Sequence, residues 1–379
     1  MPTARFGPFT FIIGVDMAAI QALYLRVRDA HRRFSGSPLA QVANRLEKDV
    51  VVSSIFGTNS IEGGTLSEEE TQLALELDPA QVEDVEQRRA LNLKEAYSLS
   101  RQAAADPAWS LDLPFVKAIH AAITQGLPHE YNSPGVLRNN AKGVMTHVGD
   151  AAHGGRYKPP QYGGDIRTLI DALLEWHGRL AADGVPALIR APLVHYYYEL
   201  IHPFWDGNGR VGRVLEATLL QQEGFRYAPF AQARYYYDHI DRYFTLFNVC
   251  RKSADKGEPT PNSPFVDFFL EGMLSSLDRL HDRVNTLVGF LLFENDLKRR
   301  HDEKDINARQ YAIATQVLAA GKPVPLTELR RAPWYLALYT GRTDKTKQRD
   351  FRRLREAGLI RVDEEQRVWP GCVQPQDRF

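Results

Sequence analysis

Along most of this chain, hydrophobic and polar positions alternate with the period of a helix. Ile20, Leu23, Tyr24 and Val27 share one face and predict a helix over 17–34. Between Leu39 and Ile61, Leu46, Val50 and Ile61 form a second stripe with Gly57 lying inside it, and Gly63-Gly64 should end that helix as a C-cap. Ser67 and Glu70 have capping-box spacing and open the next one. Further helices are predicted over 81–103, 115–124, 165–180, 186–201, 211–223 and 265–301. The pattern changes only between 132 and 160. There Val136-Leu137-Arg138 and Val144 to Val148 are strand-like, Gly149-Asp150 and Gly154-Gly155 bracket a loop, and Arg156-Tyr157-Lys158 runs back. This predicts a β-hairpin on a mainly α fold.

The end of the chain looks like a separate module. Ile306 to Ala319, a segment opening at Thr327 and Lys345 to Ala357 predict three helices; Leu359 to Val362 and Gln366 to Trp369 predict two short strands. Helix, helix, helix, hairpin is the order of a winged helix-turn-helix domain. The expected organisation is therefore an N-terminal helical region over 1–104, a core over 105–300 and a winged-helix domain over 301–379.

Charge and composition narrow the partners. Lys+Arg and Asp+Glu both number 47 in 379 residues, so no overall field draws the protein to nucleic acid or to a membrane. Locally, Arg342, Lys345, Lys347, Arg349, Arg352, Arg353 and Arg355 outnumber Asp344, Asp350 and Glu356. Contact with DNA phosphates through 342–355 is one use of that helix. Docking to protein, or orienting a homodimer, is the other. Two cysteines, Cys250 and Cys372, support neither a disulfide framework nor a zinc site, which suits a reducing, cytoplasmic setting. Asp16 interrupts the apolar run Phe9 to Val15, so no signal peptide is expected there. No stretch approaches the roughly 20 apolar residues of a membrane span.

The chemistry concentrates in Ile201-His202-Pro203-Phe204-Trp205-Asp206-Gly207-Asn208-Gly209-Arg210-Val211-Gly212-Arg213. Gly207-Asn208-Gly209 can bend sharply, and its successive N–H groups can form an anion-binding nest at the start of the following helix. Arg210 and Arg213, three apart, can clamp phosphate oxygens. Asp206 offers a hard oxygen ligand to Mg²⁺, and His202 is the natural general base. His195, seven residues earlier on the same helix face, suits a supporting or core role.

This stretch resembles the signature of the Fic family, His-Pro-Phe-x-(Asp/Glu)-Gly-Asn-Gly-Arg-x-x-Arg, at every specified position. The resemblance implies a Fic-type helical core and an enzyme that moves AMP from ATP, with Mg²⁺, to a hydroxyl of a target protein, itself included. It implies that Thr58-Asn59-Ser60-Ile61-Glu62-Gly63 is an inhibitory motif, in which Glu62 pairs with Arg213 and keeps the ATP γ-phosphate out. The hairpin corresponds to the flap that holds a target segment, here along 135–158, and Gly135-Val136-Leu137-Arg138 resembles its opening. Tyr235 and Tyr243 correspond to aromatic walls for the adenine. Three other activities stay open: removal of AMP by way of Glu62, transfer of a different group, and DNA-binding regulation with a nucleotide-sensing core. Phosphorylating relatives lack the Gly-Asn-Gly-Arg form, which argues against phosphorylation.

Overall fold

The computed structural model of the protein describes residues 1–38 and 42–373. The chain divides into two compact units, Met1–Leu39 with Ala43–His281 and Ala40–Val42 with Asp282–Phe379. The expected helix start at Leu39 lies outside the described residues.

The first unit is helical: α1 Met17–Ser35, α2 Ala43–Ile61, α3 Glu68–Ala74, α4 Val85–Ala105, α5 Leu113–Thr124, α6 Gly163–Ala182, α7 Ala187–Ile201, α8 Asn208–Gln222, α9 Ala228–Asp238, α10 Ile240–Asp255 and the first part of α11 Ser263–Asp302. α7 is its axis. Every α7 residue except Glu199 is buried, as expected of a helix apolar on all sides. α8 packs on α7, α4 and α5, and α2 lies along α9. Gly57 allows that last approach, because a Cβ there would stand 3.0 Å from the Ala233 carbonyl. The apolar run near the N-terminus is core: Phe9 is buried, and Phe11 packs on Trp176 and Tyr197. Asp165 receives the amides of Ala4, Arg5 and Phe6.

Caps set the helix ends near the site. α2 closes in a Schellman motif: the Gly64 amide donates to the Asn59 carbonyl, the Gly63 amide to that of Ser60, and Gly63 has φ +80°. Glu62 is thereby fixed one residue beyond the helix. At α3 both halves of the Ser67/Glu70 capping box form.

The flap differs from expectation. Between 132 and 160, all of them described residues, the backbone makes one antiparallel bridge, Val148 with Tyr157, and no extended strand pair. Two side-chain amides take over the pairing. Asn140 Nδ2 donates to the Val144 carbonyl and to Thr146 Oγ1. Gln161 Oε1 accepts the Thr146 amide, and its Nε2 donates to the Thr146 carbonyl. The loop is pinned from α10, where Asn248 Nδ2 donates to the carbonyls of His153 and Gly155.

The second unit comprises the rest of α11, α12 Ala308–Ala319, β1 Val324–Pro325, α13 Leu326–Arg331, α14 Pro333–Leu338, α15 Asp344–Glu356, β2 Ile360–Val362 and β3 Arg367–Pro370. The strands pair antiparallel in the order β1-β3-β2, with Val362 opposite Val368. Ile313, Val317, Leu354, Ile360 and Val368 form its core. Asp350, fully buried on α15, is held by Arg309 at 2.9 Å and by the Tyr339 hydroxyl at 3.3 Å. Among the described residues no helix is long and apolar enough to cross a membrane.

Candidate active site

The signature stretch folds as a tight corner between α7 and α8. α7 ends at His202, whose backbone is left-handed (φ 50°, ψ 63°). That geometry is uncommon for a residue with a Cβ and is held here by its surroundings. The His202 amide donates to the Tyr198 carbonyl at 2.8 Å. Its own carbonyl accepts from Arg138 Nε at 2.6 Å. Asn208 then closes the corner on itself: Oδ1 accepts the Phe204 amide and Nδ2 donates to the Phe204 carbonyl, each at 2.9 Å. The Asn208 side chain is thus used to shape the loop, and only its backbone is left to offer a phosphate. Gly207, φ 79°, precedes the first turn of α8. The N–H groups of Asn208, Gly209 and Arg210 have no acceptor within a helix that starts there.

The charged groups divide into two pairs. Arg210 Nη2 stands 2.8 Å from Asp206 Oδ2, with Asp206 about one-third exposed. Burial opposes ionisation of Asp206, but Arg210 and the Gly207 amide outweigh it and hold the carboxyl below its ordinary range. Arg213 is buried and bonds Glu62 Oε1 at 2.6 Å, the Thr58 carbonyl at 3.3 Å and the Tyr243 hydroxyl at 3.3 Å. Burial would lower Arg213, yet Tyr243 and Glu62 together raise it. The Thr58 hydroxyl faces away, toward that of Tyr97 at 3.4 Å.

Behind Arg213 runs a buried chain of polar groups. Tyr243 donates to His195 Nε2 at 3.0 Å, His195 Nδ1 donates to Glu216 at 2.8 Å, and Glu216 also accepts from Tyr236. The two carboxylate bonds of Glu216 fix this direction, since Nδ1 must carry the proton. His195 is therefore a core group that sets Tyr243, and through it Arg213.

A cavity of about 290 Å³ opens at this corner, lined by Glu62, Glu199, His202, Gly209, Arg213 and Tyr243, and toward the flap by Tyr157 and Arg251. Tyr235 is not among its walls. It lies on the other side of α9, stacked on His239 and against Phe268, with its hydroxyl toward Glu271 of α11. Three tyrosines in a row point about 100° apart on a helix, and the neighbour Tyr236 takes the inward direction to Glu216. Phe244 and Phe247 of α10 line the cavity with Tyr243, two aromatic positions that the sequence pattern does not single out.

Two further residues outside the signature shape the corner. Arg138, fully buried, donates to the carbonyls of His202, Ile201 and Pro160 and to Asn140 Oδ1 at 2.8 Å. Burial lowers it to about 10. His120 stacks on Phe204 at 3.6 Å, accepts the Gly135 amide on Nδ1 at 2.8 Å and donates from Nε2 to the Asp206 carbonyl at 3.1 Å. Burial lowers its pKa to about 4, so it is neutral at pH 7. Nothing in the sequence pattern singles out His120. Arg138 is visible only as the arginine of Gly-x-x-Arg.

Comparison with known proteins places this geometry among relatives. Residues 110–220 match the Fic/DOC family model. The chain is 26% identical over 245 residues to a protein adenylyltransferase Fic of Drosophila grimshawi, covering 62% of this chain and 44% of that protein. Against the protein of the same name from Aedes aegypti it is 28% identical over 260 residues, covering 66% and 45%. The chain thus spans less than half the length of these curated relatives. Among solved structures, a Fic domain containing signaling protein from Bacteroides thetaiotaomicron aligns with a TM-score of 0.56 at 19% identity, over 70% of this chain and 97% of that one. A Fic family protein from Desulfovibrio desulfuricans aligns with a TM-score of 0.55 at 18% identity, over 98% and 99%. The helical core that carries the cavity has the Fic fold.

Proposed function

We propose that this protein is a protein adenylyltransferase that moves AMP from ATP to a Ser, Thr or Tyr hydroxyl of a target protein and is restrained by Glu62. One observation carries the reading: His202, the first turn of α8 and Arg213 border a single cavity, and the Glu62 carboxylate sits where an anion would, 2.6 Å from Arg213 and beside Gly209. The names of the curated relatives agree with it.

In this reading the target oxygen attacks the α-phosphorus in line, its proton passes to His202, and the bond to pyrophosphate breaks. The free amides of Asn208, Gly209 and Arg210 bind phosphate oxygens at the positive end of α8. Arg213 takes the γ-phosphate once Glu62 has left. Asp206 suits Mg²⁺, being ionised, partly exposed and adjacent to that helix terminus. When bound, Mg²⁺ neutralises phosphate charge. The target segment lies along 135–158, where Val136 and Met145 expose more than half their surface.

Incubation with α-³²P-ATP and Mg²⁺ tests this. Label is expected on protein with Glu62→Gly and absent with Glu62→Gly/His202→Ala. Absence of label from Glu62→Gly, with a cell extract supplying targets, sinks the transfer reading. Removal of AMP is the alternative, because Glu62 shares the cavity with His202; release of AMP from a modified protein by wild type, lost in Glu62→Gly, would favour it.

The second unit is a winged helix in this reading, with α15 as the helix that precedes the β2-β3 hairpin. Lys345, Arg349, Arg352 and Arg353 are exposed along that helix. If it binds DNA, Arg349→Ala should weaken binding across sequences and flatten the salt dependence by about one phosphate contact. Absence of salt-dependent binding leaves the unit to protein docking or to a homodimer.

A further inference from the structure

We infer that Glu199 is the positioning residue of His202, its carboxylate accepting the imidazole Nδ1–H so that Nε2 is left bare to take the hydroxyl proton. The inference rests on the transfer reading above and names a residue that the signature does not contain.

Glu199 is the one α7 residue that is not fully buried, and the surface it keeps opens into the cavity beside His202. It stands three residues before His202, one helical turn away, with Oε2 3.6 Å from Nδ1. One atom of each group is left over. Glu199 Oε1 and His202 Nδ1 are both buried polar atoms without a hydrogen bond among the described residues. Such atoms are costly to leave unpaired, and a small side-chain rotation brings the carboxylate, whose Oε2 is the nearer oxygen, within hydrogen-bond distance of Nδ1. α8 leaves room for the carboxylate: at Gly212 a Cβ would come within 2.8 Å of Glu199 Oε1.

Charge argues the same way. A carboxylate in a triphosphate site repels the substrate, so Glu199 is ill suited to bind ATP. It is well suited to a cation that forms during the reaction. The backbone of His202 is clamped at both ends by Tyr198 and Arg138, but neither contact touches the ring. A neutral imidazole carries one N–H, and the partner of that N–H decides which nitrogen is the base. With Nδ1–H on Glu199, a lone pair of the hydroxyl oxygen forms the bond to the α-phosphorus and the hydroxyl proton moves to Nε2. Pyrophosphate leaves with the electron pair of the broken bond. Glu199 then faces an imidazolium, which loses its Nε2 proton to solvent.

The test uses the full chain with Glu62→Gly, and adds Glu199→Met or Glu199→Gln. Met removes the acceptor at similar length; Gln keeps an acceptor and loses the charge. Glu199→Met should lower kcat about 10–100-fold with the KM for ATP within about twofold, and Gln should fall between. A merely structural role would move stability or KM instead. The second readout needs no activity. Long-range ¹⁵N NMR of labelled histidine, with the His202 signal assigned from its loss in His202→Ala, should report the Nδ1–H tautomer in the Glu62→Gly parent and in Glu199→Gln, and the Nε2–H tautomer in Glu199→Met. Should Glu199→Met not fold, Glu199→Gln still decides, since a rate equal to that of Glu62→Gly overturns the proposal. An unchanged tautomer in Glu199→Met overturns it as well. If no variant transfers nucleotide, the transfer reading fails on its own, and the tautomer still reports on Glu199.

Discussion

Glu62 and Arg213, 151 positions apart in the chain, meet at 2.6 Å at the junction of two helix ends. Glu62 follows the C-terminus of α2, whose dipole disfavours a carboxylate, and lies against the first turn of α8, whose dipole attracts one. Its carboxylate thus lies between the Arg213 guanidinium and the positive end of α8. A charge-assisted hydrogen bond is worth about 1.5–3 kcal/mol, so Glu62→Gly should raise nucleotidyl transfer about 10–100-fold. Arg213→Ala should fail to activate, because it removes the phosphate ligand together with the restraint. Equal rates for wild type and Glu62→Gly in a labelled-ATP assay would dismiss Glu62 as an inhibitor.

Gly209 reports on the same contact through stability. A Cβ at Gly209 would overlap the Glu62 carboxylate, so Gly209→Ala displaces Glu62 from Arg213. In the Glu62→Gly background that obstacle is gone, and the gain in helix propensity of about 0.5–1 kcal/mol should appear. A double-mutant cycle by urea denaturation should therefore show coupling, with Gly209→Ala less favourable in the wild type than in Glu62→Gly. Additive effects would mean that the two side chains do not compete for space.

Asp206 is held ionised, so removing its charge should matter throughout the neutral range. Asp206→Asn is expected to lose at least about tenfold in transfer and to need more Mg²⁺ for half-maximal rate, with an unaltered circular dichroism spectrum. The readout is a Mg²⁺ titration of initial rates in Glu62→Gly and Glu62→Gly/Asp206→Asn. An identical midpoint in both would assign the metal elsewhere.

Acid should loosen the first unit before ordinary carboxylates titrate. His120 and His177 are lowered from 6.5 to about 4, His120 mainly by burial and His177 by burial and then Arg190. A histidine with a depressed folded pKa takes its proton in the unfolded chain first. Stability is full above pH 6.5 and falls as pH drops toward 4. From pH 7 to pH 5 each should cost about 2 kcal/mol. The urea midpoint should shift accordingly, and less so in His120→Asn. A midpoint that is flat over this range would contradict neutral burial of both rings.

Much of this was legible in advance because it depends on local rules. Helical periodicity located α1, α6, α7 and α11 within a few residues, and Gly63-Gly64 and Ser67/Glu70 marked real caps. The signature brings its own groups together because they lie within one turn-and-helix segment. What depends on distant packing was not legible. The facing of Tyr235 is decided by α11, and no spacing in Tyr235-Tyr236-Tyr237 says which ring turns inward. The flap looked like a hairpin from its β-branched residues, whereas Asn140 and Gln161 satisfy its backbone with side chains that carry no periodic signal. α14 and β1, six and two residues long, are too short for any period to emerge.

Arg138 has a mechanical meaning. One guanidinium holds the carbonyl of His202 at the end of α7 and the carbonyl of Pro160 at the base of the flap. The loop that would meet a visiting chain and the backbone that carries the imidazole are joined through one planar guanidinium fork. Displacement at the flap base therefore reaches the backbone at the end of α7 with little slack in between. In the transfer reading proposed above, a visitor seated out of register would disturb the backbone that carries His202 as well as its own hydroxyl, which ties acceptance of a target to a single side chain.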